Sequence, residues 1–351
     1  MNGARLIVAL LGGCLMVACA GPAGAPAVPS SSAPAVGGSA IQATSAPAAP
    51  PSPVALRAIS IAHPTANPQL VPFRLAITEG FFREEGLDAQ MIQIGSSAFA
   101  PAMLNDEIDY STLFGATVRL AAAGAPVKAI MVLNDKPLFY LIAQPGIASV
   151  PDLRGQEVGV GPRGGTLDHL ARDIFTYYGL DPQTDLVSRS FQQIDGTLPA
   201  LLAGQIQAAV VPPPLNLQAE AQGMKMLVDA ADLFRAASGG VTTTERKLRE
   251  RPDEVRGVLR ATLRGMEFMR SHRAPALAEM VSWAGIDAAL ADGAYDGVVK
   301  SFTSDGLATD DEIQPEIDSA KEQMGTPDAV IPVSQVVDFT LLRSVLAEPR
   351  R

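Results

Sequence analysis

The stretch Val150-Pro-Asp-Leu-Arg-Gly-Gln-Glu-Val-Gly-Val-Gly-Pro-Arg-Gly-Gly-Thr-Leu-Asp-His169 decides how this chain folds. It reads as a short turn, a buried strand over 156–161, a Gly-rich bend and the start of a helix. The helical pattern continues through Leu170, Ile174, Phe175 and Tyr178 and stops at Gly179, a C-terminal stop signal. A strand that opens through glycines into a helix leaves backbone N–H groups pointing beyond the sheet. Such an end is a ready site for an anion or another polar group.

The same alternation extends to both sides of this stretch. Upstream, strands are predicted over 56–62, 87–94, 108–113 and 127–133, with a connecting strand over 138–143. Helices over 71–84, 98–105 and 116–123 lie between them, and Gly86 and Gly124 mark two of their ends. Downstream, strands over 186–191, 206–211 and 226–229 flank a helix over 198–203. Pro212-Pro213-Pro214 breaks the pattern before a further helix. This β-α-β-α order predicts parallel sheets covered on both faces. From about Arg246 onward the pattern is helical, over 255–270, 275–284, 288–302, 311–324 and 333–346. These helices are expected to pack back onto the first sheet.

The first 54 residues stand apart. Arg5 precedes an apolar run from Leu6 to Ala18, too short to span a bilayer but laid out as a secretory signal. Met16-Val-Ala-Cys19 resembles a bacterial lipoprotein box; Leu11-Gly-Gly-Cys14 fits in letters but leaves a shorter apolar core. The cut is therefore placed before Cys19, with residues 1–18 as signal peptide and Cys19 as the lipidated residue. Two or more acyl chains there would hold the protein on a membrane without a spanning helix. Residues 20–54 are almost entirely Ala, Pro, Gly and Ser and read as a disordered tether. Both cysteines of the chain fall in this segment, so the remaining body can form no disulfide, Cys-based zinc site or thiol nucleophile. About three hundred residues remain, enough for two domains. The net charge of −10, with no basic stripe, argues against a nucleic-acid partner.

Several blocks resemble one family. They are Ala76-Ile-Thr-Glu-Gly-Phe-Phe-Arg-Glu-Glu-Gly-Leu87, Met103-Leu-Asn-Asp-Glu-Ile-Asp-Tyr110, Ala122-Ala-Gly-Ala-Pro-Val-Lys128, Ile147-Ala-Ser-Val-Pro-Asp-Leu-Arg-Gly155 and Leu198-Pro-Ala-Leu-Leu-Ala-Gly-Gln-Ile-Gln-Ala-Ala-Val210. In order and spacing they resemble the periplasmic solute-binding proteins of ABC importers, in the branch typed by nitrate, sulfonate, taurine and pyrimidine-precursor binders. Gln207 stands where that family usually has Asp. The resemblance covers roughly residues 56–245. It implies an α/β, two-lobe periplasmic-binding-protein fold of type II, hinged by two crossover strands near 141–146 and 239–243. Lobe one would be 55–143 with 241–351, and lobe two 144–240. It also implies an ABC permease and ATPase as partners, a monomer outside the cytoplasm, no catalysis and no cofactor.

In open α/β sheets the crevice lies outside the carboxyl ends of the strands. That rule selects His63, Thr65 and Asn67 after the first strand, and Gly95, Ser96 and Ser97 after the second. After the third it selects Phe114, Gly115 and Thr117. In the second half it selects Arg163, Gly164, Gly165 and Thr166, then Pro213 and Asn216. Converging helix N-termini with Arg163 would suit a carboxylate, sulfonate or other oxyanion. Each pick has a plainer rival. His63 could be a solvated loop residue, Ser96 and Ser97 ordinary helix caps, Gly115 a bend, Phe114 core and Arg163 surface. Trp283 and Tyr295 read as packing residues, and His169 and His272 as structural or exposed, without metal-ligand spacing.

Gly159-Val-Gly-Pro-Arg-Gly164 is a literal G-x-G-x-x-G, but Pro162 removes an N–H that pyrophosphate would use. The next strand ends Ser188-Arg-Ser-Phe191, with no acidic residue for a ribose. No phosphate-loop Lys motif and no Ser-His-Asp order is present. Relatives that make a thiamine pyrimidine use a Cys-rich motif, which the body of this chain lacks. A ligand-sensing module tethered to a membrane remains an alternative to import.

Overall fold

The computed structural model describes residues 56–161, 166–191 and 196–349. The signal, Cys19 and the tether lie outside them. Among the described residues ten strands form two five-stranded sheets. They are β1 (Arg57–His63), β2 (Leu87–Gln93), β3 (Tyr110–Ser111), β4 (Val127–Asn134), β5 (Tyr140–Ala143), β6 (Glu157–Val160), β7 (Val187–Ser190), β8 (Ala208–Val211), β9 (Lys225–Asp229) and β10 (Ser238–Thr244).

Sheet one has the order β2-β1-β3-β10-β4 and sheet two the order β7-β6-β8-β5-β9. Both are mixed, a departure from the parallel sheets expected. β10 runs antiparallel to β3 and β4, and β5 runs antiparallel to β8 and β9. Each is the strand by which the chain enters a sheet from the other one, so its direction is reversed by connectivity, which local pattern does not carry.

The strand period of two explains the double covering of sheet two. Leu141, Ala143, Ala208 and Val210 bury one face with Ile174 and Phe175 from the helix Thr166–Tyr177. Tyr140, Ile142, Ala209 and Val211 bury the other with Leu198, Leu201 and Ile206, continuous with the larger core of sheet one.

The crossovers also shift. Residues 141–143 are paired strand and 239–243 are central strand, not connections. The chain passes from Asn134 to Tyr140 through 135–139, and returns from Asp229 through the short helix Ala230–Leu233 and residues 234–237. The two passages lie side by side, with Ala236 N donating to Asp135 O at 3.0 Å. Five residues span at most about 18 Å. Asn134 ends β4 at the carboxyl edge of sheet one, and Tyr140 pairs with Val211 at the carboxyl edge of sheet two. Short connections between those two points hold the two carboxyl edges near each other.

The expected helix over 71–84 is two, Val71–Thr78 and Phe81–Glu84, divided at Gly80 with φ 79°. The strand expected over 108–113 is only Tyr110–Ser111, because Leu113 already precedes the helix Phe114–Ala122. The C-terminal helices include Pro252–Ser271, Arg273–Ser282, Ala288–Ser301 and Asp310–Gln323.

Candidate functional site

His63 ends β1 at the carboxyl edge of sheet one and is 5% exposed. Its Nδ1 is enclosed without a hydrogen-bond partner. Burial holds its pKa below the usual imidazole value, opposed in part by the backbone of Thr65. Trp283, just past the helix Arg273–Ser282, places its ring 5.6 Å from the His63 ring, and the Arg74 guanidinium lies 5.8 Å from the indole.

The second edge holds two matching orphans. Thr197 opens the helix Thr197–Leu202 after β7 and is fully buried, with no partner for Oγ1. Asn216 lies in the helix Leu215–Ala221 after β8 and is 5% exposed, with no partner for Oδ1. Between these helices is a cavity of about 520 Å³, lined by Leu198, Pro199, Pro212, Pro213, Pro214, Leu215 and Gln218. A second concavity, of about 590 Å³, is bounded by Asp310 and by residues from Pro332 to Arg343. The segment from Pro332 packs on the amino end of β4, where Lys128 Nζ reaches the carbonyls of Ser334 and Gln335, away from the carboxyl edge.

Other expected contacts are engaged within the protein. Asn67 caps the short helix Pro68–Leu70 by accepting from Gln69 N at 3.0 Å, and its amide donates to Thr65 O at 3.1 Å. Thr117 is fully buried, and its hydroxyl lies between two acceptors, Leu113 O at 3.1 Å and Thr242 Oγ1 at 3.0 Å. Phe114 is 3% exposed and packs on Gly240. Gly95 is exposed and precedes the helix Ser96–Leu104, whose first turn holds Ser96 and Ser97. Pro213 lines the cavity, and Thr166 opens its helix. Arg163, Gly164 and Gly165 lie outside the described residues.

Gly115 sits in the first turn of the helix Phe114–Ala122, where an anion was expected. Glu316 of the helix Asp310–Gln323 is already there: a Cβ built on Gly115 would stand 2.8 Å from its Oε2. The same helix reaches sheet two, where Glu322 Oε2 lies 3.1 Å from His169 Nε2 in the first turn of Thr166–Tyr177. His169, read from the sequence as structural or exposed, is a contact between these two helices, its Nε2 near the Glu322 carboxylate without a formed hydrogen bond. Lys300 of the helix Ala288–Ser301 makes another such connection, to Asp229 at 2.6 Å and Asp232 at 2.7 Å. Among the described residues no group of His, Cys, Asp and Glu side chains could hold a metal, and no helix is long and apolar enough to cross a membrane.

Sequence reasoning did not single out Thr197 or Glu316, and it read Trp283 as a packing residue, which its contact with the His63 ring is. Thr197 carried a usable signal, since it is the first helical residue after a strand, as Thr166 is. Trp283 and Glu316 arrive from helices far along the chain, and their placement depends on tertiary packing.

A family model described as NMT1/THI5 like matches residues 67–276. A riboflavin-binding protein, RibY of Chloroflexus aurantiacus, is 28% identical over 210 residues, 57% of this chain. The match spans 58% of the length of that curated relative. The aliphatic sulphonate binding protein SsuA of Escherichia coli superposes with TM-score 0.67 at 17% identity, covering 82% of this chain and 99% of that one. The desulfurization enzyme DSZB superposes with TM-score 0.60 at 14% identity, covering 83% and 99%. The fold is the α/β periplasmic-binding-protein fold, as the resemblance implied.

Proposed function

The chain belongs to the NMT1/THI5-like family, and from that premise we propose that it is the extracytoplasmic solute-binding component of an ABC importer. It captures a small polar organic solute between the carboxyl edges of its two sheets and hands it to a permease without chemistry. The observation that carries this reading is that, among the described residues, three of the six enclosed side-chain polar atoms without a partner lie on these edges, His63 Nδ1 on one and Thr197 Oγ1 and Asn216 Oδ1 on the other; the remaining three are Asp135 Oδ1, His169 Nε2 and Glu254 Oε2. Buried polar groups are normally satisfied, and leaving one unpaired costs about 1–3 kcal/mol. A solute that supplies the missing bonds relieves that cost on both edges at once.

Sheet one with the C-terminal helices forms one lobe and sheet two the other, hinged at 135–139 and 234–237. Ligand binds both lobes only when they close, so binding shifts the population toward closure. The named ligands of the relatives, riboflavin and aliphatic sulphonates, set the first compounds to try. Arg163, Gly164, Gly165 and Thr166 remain part of the proposed site on the ground of the sequence alone. The body has no cysteine, so thiol chemistry is not open to it, whatever the fold shared with a desulfurization enzyme.

The test is a thermal-shift screen with riboflavin, pyrimidines, taurine, methanesulfonate and nitrate. A bound compound at 100 times its Kd adds about 2.7 kcal/mol and raises the melting temperature. A flat response to every compound would count against a solute-binding role. Anchoring has its own check: Cys19→Ser should abolish incorporation of labelled palmitate, whereas Cys14→Ser should leave it.

A further inference from the structure

The carboxylate of Glu316 occupies a position that an anionic solute would need. The helix Phe114–Ala122 begins at the carboxyl edge of sheet one, directly after β3. In its first turn Phe114 N donates to Thr112 O at 2.9 Å and Thr117 N to Leu113 O at 3.0 Å, which leaves the N–H groups of Gly115 and Ala116, and no acidic side chain of its own lies in that turn. Leu113, before it, offers no side-chain cap. Glu316 Oε2 comes to 2.8 Å from the Cβ position of Gly115. A side chain at 115 would displace the end of the Glu316 side chain.

One turn before Glu316, Glu312 accepts through its backbone from Ala237 N at 2.7 Å, at the returning hinge passage. Six residues after it, Glu322 meets His169 on sheet two. Glu316 therefore sits between the hinge and the second edge. Among the described residues it makes no hydrogen bond or ion pair; Arg119, one helical turn past Gly115, is its nearest opposing charge. Burial raises the carboxyl pKa, and Arg119 lowers it in part.

We propose that Glu316 sets the charge preference of the site, rejecting anions at the lobe-one helix end and accepting hydrogen bonds from N–H or O–H groups of a neutral solute. This rests on the solute-binding reading above and sharpens it to a ligand class. An oxyanion at the Gly115 turn would require Glu316 either to take up a proton or to stand as a second negative charge beside it, and each weakens anion binding wherever the carboxyl is ionised. A donor edge, such as an imide or a hydroxylated chain, meets an acceptor whose hydrogen-bonding capacity is unspent.

The experiment is calorimetric titration of the full chain with riboflavin, which is neutral and carries an imide N–H and several hydroxyls, and with methanesulfonate. Wild type, Glu316→Gln and Glu316→Ala are compared, each first shown to melt cooperatively. Expected is riboflavin binding by wild type that weakens about tenfold or more in Glu316→Ala, the loss of a hydrogen bond to a charged acceptor. Methanesulfonate should bind wild type poorly and gain at least about tenfold in Glu316→Gln, where the size is kept and the charge removed. If wild type binds methanesulfonate as tightly as Glu316→Gln does, or if riboflavin affinity ignores both substitutions, the charge preference is overturned while solute binding stands. If neither compound binds wild type, the neutral-ligand assignment is overturned, and the wider thermal-shift screen then decides whether solute binding falls with it.

Discussion

Thr197 Oγ1 and Asn216 Oδ1 are enclosed and have no hydrogen-bond partner within the protein. Their removal should therefore separate folding from binding. Thr197→Val keeps the shape and deletes the orphan, so its denaturation midpoint should equal or exceed that of wild type while riboflavin affinity falls about tenfold. A lower midpoint with unchanged affinity would make Thr197 a packing residue. His63 predicts a pH effect of definite sign. Its folded pKa lies below the unfolded value of about 6.5, so between the two the unfolded chain binds more protons. Stability should rise with pH through that window. The penalty is absent above pH 6.5 and fully present below the depressed folded pKa. Melting curves from pH 7.5 down to 5 should drop more steeply for wild type than for His63→Gln. The placement of His63 at a strand end and of Asn216 near a helix start was legible in the sequence, because such ends can be read from pattern. The commitments of Asn67 and Thr117 to their own backbones were not, since capping and a strand-to-helix hydroxyl pair look the same in letters as ligand contacts.

Two elements meet with no room to spare at Gly265. It lies in the helix Pro252–Ser271, where a Cβ would press on the backbone carbonyl of Pro72 in the helix Val71–Thr78. Gly265→Ala should cost about 1–3 kcal/mol in chemical denaturation, despite the higher helix propensity of alanine. No change would mean the two helices can slide apart freely. At the amino edge of sheet one, Lys247 pairs with Asp109 and, at 3.3 Å, with Glu254, which also receives Arg57 and the Tyr110 hydroxyl. Lys247→Met takes the cation from Asp109 while Glu254 keeps Arg57 and the Tyr110 hydroxyl, and should lose about 1.5–3 kcal/mol. A midpoint within experimental error of wild type would contradict this. The elements themselves were mostly readable from hydrophobic period. Their breaks were not always so. The helix expected over 333–346 stops after Val336 because Val337 bridges Ala129 of β4, and Asp338 Oδ1 then accepts from Thr340 N as the chain re-enters a helix. Pairing of this kind is set by distant residues.

At the scale of the whole molecule, two reversed strands and two short passages bring like edges together, and side chains then tie them across. His169 with Glu322 and Lys300 with Asp229 and Asp232 join elements of the two lobes. The alternation of strands and helices announced two α/β units, yet the reversal of β5 and β10 could not be read from it. Strand order depends on where the chain has just come from, and that is a long-range fact. The same limit hid Glu316 and Trp283, which fold back from the C-terminal helices to the edge of the first sheet. Whether one solute is held from both edges is decided by calorimetric titration of riboflavin into wild type, His63→Ala and Asn216→Ala. Binding to wild type, weakened about tenfold or more in each variant, is the predicted result. Affinity that survives either substitution unchanged, or a wild-type protein indifferent to riboflavin and to every compound of the thermal-shift screen, would contradict it.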